Sequence, residues 1–147
     1  MHALAITLVC EALNASFGKN FWVRNQSPLD LTPISTPDPD VAVVVGSPRS
    51  HTGTTNPTSA LLTVEVSDST LTHGRNYKSS LYAFAGIAEY WIVNLRDRQL
   101  EVRRAPLSDP AAFYVVDYSD RVVLKPGDFA TPLAAPHASI AVADLLP

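Results

Sequence analysis

The sequence predicts an α/β fold, and three observations carry that prediction. Apolar, largely β-branched runs at residues 40–45 and 61–66 read as strands buried in the middle of a sheet. Residues 3–17 and 72–85 place apolar side chains at helical spacing. From residue 89 onward the strand signals come in pairs separated by turn residues, the pattern of hairpins.

The first helix places Leu4, Leu8, Val9, Ala12 and Leu13 on its apolar side, and Gly18 is suited to close it. Residues 20–24 form a strand. An extended segment follows at 27–31, which Pro28 keeps towards a sheet edge. A proline-rich link, 32–39, leads into the strand 40–45, DVAVVV, which Gly46 ends. Residues 47–59, rich in Ser, Thr, Gly and Pro, form a long loop that is a candidate for contacting a substrate. The strand LLTVEV at 61–66 passes through Ser67, Asp68, Ser69 and Thr70, which serve as turn and capping residues, into the second helix. Gly86 stops that helix, and EYWIVN at 89–94 is the next strand. Residues 99–104 fold back on it across the turn 96–98. A second strand pair is expected at 112–117 and 121–124, with a turn at 125–128 and a short closing element at 140–146.

A chain of 147 residues suits one domain with a sizeable core, and 46% hydrophobic with 17% charged residues describes a globular chain. A net charge of −3 argues against nonspecific coating of nucleic acid and leaves room for a local basic cleft. Cys10 is the only cysteine, which excludes an internal disulfide framework and a cysteine-based zinc site and fits a reducing, cytoplasmic setting. The apolar run 3–10 has no basic residue before it and is interrupted by Glu11, so it reads as mature helix and not as a signal peptide. No apolar run approaches the ~20 residues of a membrane span.

Chemistry is concentrated in three residues. Glu65 sits inside a buried strand, where a carboxylate costs on the order of several kcal/mol unless it meets a cation or donors. Lys78 lies on the same face of the second helix as Leu81, Tyr82 and Ala85, so both charges point into one site. Asp40 stands at the mouth of the neighbouring buried strand, with Asp38 as its rival on the same face. Two carboxylates brought together repel unless a hard cation bridges them, and Mg2+, with Mn2+ as second candidate, suits oxygen ligands and activates water against a phosphodiester. The Lys78 ammonium beside it would orient that water or stabilise charge on the phosphate. His51, His73 and His137 have no metal-ligand spacing.

Pro39-Asp40, Glu65-Val66-Ser67 and Lys78 resemble the signature of PD-(D/E)xK nucleases, with the lysine moved from the strand position held here by Ser67 onto the following helix. More specifically, PDPDVAVVVG, LLTVEVSDST and YKSSLYAFAGIAEYWIVN resemble the Uma-two family of restriction-endonuclease-like proteins, over most of the chain. The resemblance implies a restriction-endonuclease-like mixed β-sheet flanked by helices, with additional C-terminal hairpins in one domain over 1–147. It also implies Asp40 and Glu65 as metal ligands, Lys78 as a catalytic group, DNA as substrate and a homodimeric assembly. The resemblance also implies a further N-terminal segment carrying a glutamate ahead of the first helix, and the expectation from these residues is a member without it. Glu11 is the residue that would stand in for it, and Gly74 occupies a position often acidic in the family. His73, Arg75, Lys78 and Arg24 are the cations available to grip phosphates.

Each of these residues also has a structural explanation. Asp40 would cap a turn, Glu65 and Lys78 would form a buried ion pair, and Tyr82 would be core. On those terms the chain is a shortened, non-catalytic member acting as an interaction or regulatory module. Divalent-cation binding that depends on Glu65 separates the two readings.

Overall fold

The computed structural model describes residues 1–31, 33–53 and 55–147; Thr32, in the proline-rich link, and Thr54, in the long loop, lie outside the described residues. The chain begins with helix α1 (His2–Ser16) and strands β1 (Phe21–Asn25), β2 (Val41–Val45) and β3 (Leu62–Ser67). Helix α2 (Leu71–His73) runs through a π-helical turn (Gly74–Lys78) into α3 (Ser79–Phe84). Strands β4 (Glu89–Asn94), β5 (Gln99–Ser108) and β6 (Val116–Leu124) follow, and a small sheet of β7 (Phe129–Ala130) and β8 (Ile140–Ala141) ends in a 3-10 turn (Val142–Leu145).

The main sheet has six strands in the order β1-β2-β3-β4-β5-β6. Every pairing is antiparallel except β3 with β4, which run parallel because the helical segment 71–84 carries the chain from the end of one to the start of the other. This is the mixed α/β sheet flanked by helices that the sequence predicts. Strand alternation divides two cores. Val41, Val43, Val64, Val66, Trp91 and Val93 face α1, where Ala5, Ile6, Val9 and Leu13 cover them. Ala42, Val44, Tyr90 and Ile92 face the other side, against Leu71, Leu81 and Tyr82.

Four local differences from the sequence-based reading have physical causes. The buried stripe of α1 runs through Ala5, Ile6, Val9, Leu13 and Ser16, and Leu4 is exposed; the helix is apolar nearly all round, so periodicity alone did not fix its rotation. The segment 71–84 is not one uniform α-helix. The expected pair of strands at 112–117 and 121–124 is instead the single strand β6, paired with a β5 that continues past Arg104 to Ser108. Beyond Arg104, β5 has no neighbour on the β4 side, and Pro106 sits there opposite Tyr118 of β6, where the strand is an edge on one side. The loop after β2 contains a 3-10 turn (Pro48–His51), closed by reciprocal bonds between Ser47 and Ser50. Among the described residues no helix is long and apolar enough to cross a membrane.

Candidate active site

The antiparallel ladder between β2 and β3 ends at Val41 opposite Val64. Asp40 lies one residue outside it, and its Oδ2 accepts the backbone N–H of Val66 at 2.7 Å, a donor the shortened ladder leaves without a strand partner. That bond fixes the Asp40 carboxylate beside the end of β3. Asp38 is exposed and takes no part.

Glu65, only 4% exposed, points from β3 towards the helical segment. Lys78 Nζ donates to its Oε1 at 2.9 Å and Tyr82 OH donates to the same oxygen at 2.7 Å. Lys78 and Tyr82 are four residues apart, so one helix face delivers both donors. The structure therefore brings Asp40, Glu65 and Lys78 to one place, and adds Tyr82. The hydroxyl at i+4 from the lysine was the signal that could have singled out Tyr82; its aromatic ring, fully buried against Tyr90, was what the sequence made visible.

Burial holds the Glu65 carboxyl above the ordinary carboxylate range; Lys78 and the Tyr82 hydrogen bond pull the other way, and the Asp40 charge adds to the rise. Burial together with Glu65 pushes the Tyr82 hydroxyl far up, so it remains a donor.

The π turn arranges the cleft around this pair. Its widened bond runs from Ser79 N–H to the Gly74 carbonyl, and His73 and Lys78, on either side of the turn, both line the cleft. Two side chains satisfy the carbonyls of the widened turn: Tyr90 OH donates to Gly74 O at 3.0 Å and Arg103 Nη1 to Arg75 O at 2.8 Å. Gly74 is packed closely, since a Cβ there would stand 3.4 Å from both Ser67 Oγ and Tyr90 OH. No acidic side chain occupies that position, and the buried Ser67 forms the cleft wall beside it.

The resulting cleft, about 250 Å3, is lined by His2, Asp40, Glu65, Ser67, His73 and Lys78 among others. His2 enters from the start of α1; its Nε2 lies 3.0 Å from the Val66 carbonyl oxygen and 3.4 Å from Asp40 Oδ2. Nothing in the sequence marked His2, because its role depends on where α1 packs. Glu11, by contrast, is exposed on α1 and does not line the cleft.

The donor chemistry of the cleft is oxygen-rich, with two carboxylates and the Val66 carbonyl, which fits a hard cation such as Mg2+ or Mn2+. Among the described residues no cluster of three or more His, Cys, Asp or Glu side chains could hold a metal. A magnesium site needs no such cage, since it uses one or two carboxylates and keeps its waters.

The remaining candidate phosphate grips are mostly committed elsewhere. Arg75 forms a bidentate pair with Glu101, at 2.9 Å and 2.6 Å. Arg24 is buried, donates to the Pro28 carbonyl and lies over the Trp22 ring. Lys78 and His73 are the two that line the cleft. The long loop adjoins Val45, at the end of β2 away from Asp40, so it does not border the cleft. A second polar centre, missed from sequence, surrounds buried Glu101 on β5, which also accepts from Asn94 and Gln99.

Comparison with known proteins agrees with this architecture. The model of a family described as "Uma2: Putative restriction endonuclease" matches residues 1–143. No curated protein matches the chain. Among solved structures, a protein from Anabaena variabilis ATCC 29413, titled a "putative nuclease belonging to DUF820", superposes with a TM-score of 0.71 at 12% identity, over 98% of this chain and 79% of that one. At that identity the likeness establishes a shared fold.

Proposed function

The chain belongs to the Uma2 family, described as "Putative restriction endonuclease", and from that membership we propose that it is a divalent-cation-dependent endonuclease hydrolysing phosphodiester bonds in DNA. The observation that carries the proposal is the convergence of Lys78 and Tyr82 on Glu65 Oε1 in the cleft that Asp40 also lines. A buried carboxylate held this way is costly to keep as mere packing, whereas it is useful as a fixed ligand.

In this reading Asp40 and Glu65 hold Mg2+ or Mn2+. The ion would supply positive charge to the phosphate and ease deprotonation of the attacking water. Asp40 is oriented by the Val66 N–H, and Glu65 by Tyr82 and Lys78. One of the three Lys78 N–H donors is committed to Glu65, and the others serve the attacking water or a phosphate oxygen as charge builds on it. The water oxygen forms a new bond to phosphorus, the bond to the leaving sugar oxygen breaks, the water proton passes to solvent, and the leaving oxygen is protonated from solvent. The same reading takes the cytoplasm as the setting and a homodimer as the assembly, which sedimentation velocity tests directly.

The deciding experiment is cleavage of supercoiled and single-stranded DNA with Mg2+ or Mn2+, beside Lys78→Ala and Glu65→Ala. Cation-dependent cutting by the parent chain that both variants lose supports the assignment. A folded, cation-supplied protein that cuts nothing overturns it.

One observation favours a second reading, a non-catalytic interaction or regulatory module. His2 Nε2 already takes the Val66 carbonyl and approaches Asp40, the two oxygens a cation would use. A protein that binds no divalent cation even without that imidazole belongs to this second class.

A further inference from the structure

His73 lines two cavities at once: the cleft of Asp40, Glu65 and Lys78, and a larger groove of about 740 Å3 beyond it. The floor of that groove is aromatic. The His73 ring lies 5.0 Å from the Tyr77 ring and nearly parallel to it, at 14°. Phe113 meets Tyr77 edge-on at 4.9 Å, and Tyr114 joins both rings. The hydroxyls of Tyr77 and Tyr114 are 3.0 Å apart, which locks the two elements that carry the rings. Tyr82, Tyr90 and Tyr118 on this sheet face are at most 2% exposed, whereas Phe113 is 69% exposed and Phe84, whose ring meets Tyr114 at 5.9 Å, is 47% exposed. An apolar ring left in water at the rim of a groove that shares His73 with a candidate hydrolytic cleft suits a ligand with its own flat apolar face.

The charge of the groove narrows that ligand further. Among the described residues that line the groove, Arg121 is the one arginine or lysine and is paired with Asp117 at 2.9 Å, while Asp109 adds a second carboxylate. Such a groove lacks the row of free cations that tracks duplex phosphates, so what it offers a nucleic acid is ring stacking, which only an unpaired base can use. We propose that the groove is a stacking platform for unpaired bases, so that the cleft acts on single-stranded DNA, with a base near the scissile phosphate laid on the exposed Phe113 ring, which the stacked His73 and Tyr77 rings brace. The proposal rests on the nuclease reading for the identity of the strand, and on the shared position of His73 for its placement beside the site.

The test uses the full chain and an oligodeoxynucleotide carrying 2-aminopurine, single-stranded or annealed to its complement, with binding read by fluorescence quenching. The parent chain is expected to bind the single strand at least about tenfold more tightly than the duplex, with quenching. Phe113→Ala, a surface change whose folding is checked by circular dichroism, should weaken single-strand binding roughly tenfold and lose the quench, and Phe113→Trp should restore both. Equal affinity for single strand and duplex overturns the proposal. So does unchanged binding by Phe113→Ala, including the case in which that variant alters only self-association and the rings prove to be a contact between copies. Cleavage with Mn2+ is scored separately. Ring-dependent single-strand binding without cutting upholds the platform and removes hydrolysis, whereas cutting of duplex that ignores Phe113 upholds hydrolysis and removes the platform.

Discussion

The His2 imidazole stands 3.0 Å from the carbonyl oxygen of Val66, at the end of the strand that presents Glu65. It lies at the same time 3.4 Å from Asp40 Oδ2, so it spans two of the oxygens assigned to a cation. An imidazole in that place competes with the ion. His2→Ala is therefore expected to raise Mn2+ affinity about fivefold, the equivalent of the ~1 kcal/mol that one net hydrogen bond is worth. Isothermal titration calorimetry measures it; a fall in affinity would make His2 a ligand.

Glu65 and Glu101 lie on the same sheet face and respond to pH in opposite senses. Burial raises Glu65 above its ordinary 4.5, so the folded state binds that proton more tightly than the unfolded chain. Its contribution to stability is complete below about 4.5 and is lost as pH rises through the raised value. For Glu101 burial also pushes upward, but hydrogen bonds from Arg75, Asn94 and Gln99 together outweigh it and the carboxyl ends below 4.5. That contribution is present above about 4.5 and is lost as pH falls through the lowered value. Melting curves of Glu65→Gln and Glu101→Gln between pH 4 and 7 should diverge. Glu65→Gln gains on the parent chain as pH rises, and Glu101→Gln falls behind by about 3 kcal/mol at neutrality, the cost of breaking a buried pair.

The strands β2, β3 and β4 were legible because they are buried on both faces over nearly all their length and read as largely apolar runs, in which Glu65 stood out as the charged residue within β3. Lys78 was legible through its spacing from Tyr82. The π turn was not, because it is held by Tyr90 and Arg103, which arrive from β4 and β5. His73 and Lys78 were legible as neighbouring candidates for gripping phosphates, but that both line one cleft follows from this turn, which the helical periodicity does not show. His2 was hidden for the same kind of reason, as its position follows from how α1 docks. β5 extends past the expected 99–104 because its second half pairs with β6, a long-range partner that the local pattern does not show.

Asp38 and Asp40 can be separated cleanly. Asp40 makes its bond to the Val66 N–H through one carboxylate oxygen, and an asparagine keeps an acceptor there, so Asp40→Asn preserves the end of β3 while removing the charge. Mn2+ affinity should fall at least about tenfold, or ~1.4 kcal/mol. Asp38→Asn, on an exposed residue, should leave it unchanged. Equal losses in the two variants would return Asp38 to the site.

Tyr82→Phe distinguishes a positioning role for this tyrosine from simple packing. The phenylalanine keeps the ring against Tyr90, 5.1 Å away at 61°, and deletes only the donor to Glu65 Oε1. Stability should drop by about 1.5–3 kcal/mol, as for a hydrogen bond to a charged group. That hydrogen bond favours the ionised carboxylate, so without it the Glu65 carboxyl titrates at still higher pH. If ionised Glu65 holds the cation, the acid limb of the cation-binding profile moves to higher pH in Tyr82→Phe, while affinity on the alkaline plateau is kept. A variant that loses stability with its acid limb unmoved would show that the hydroxyl serves the fold alone.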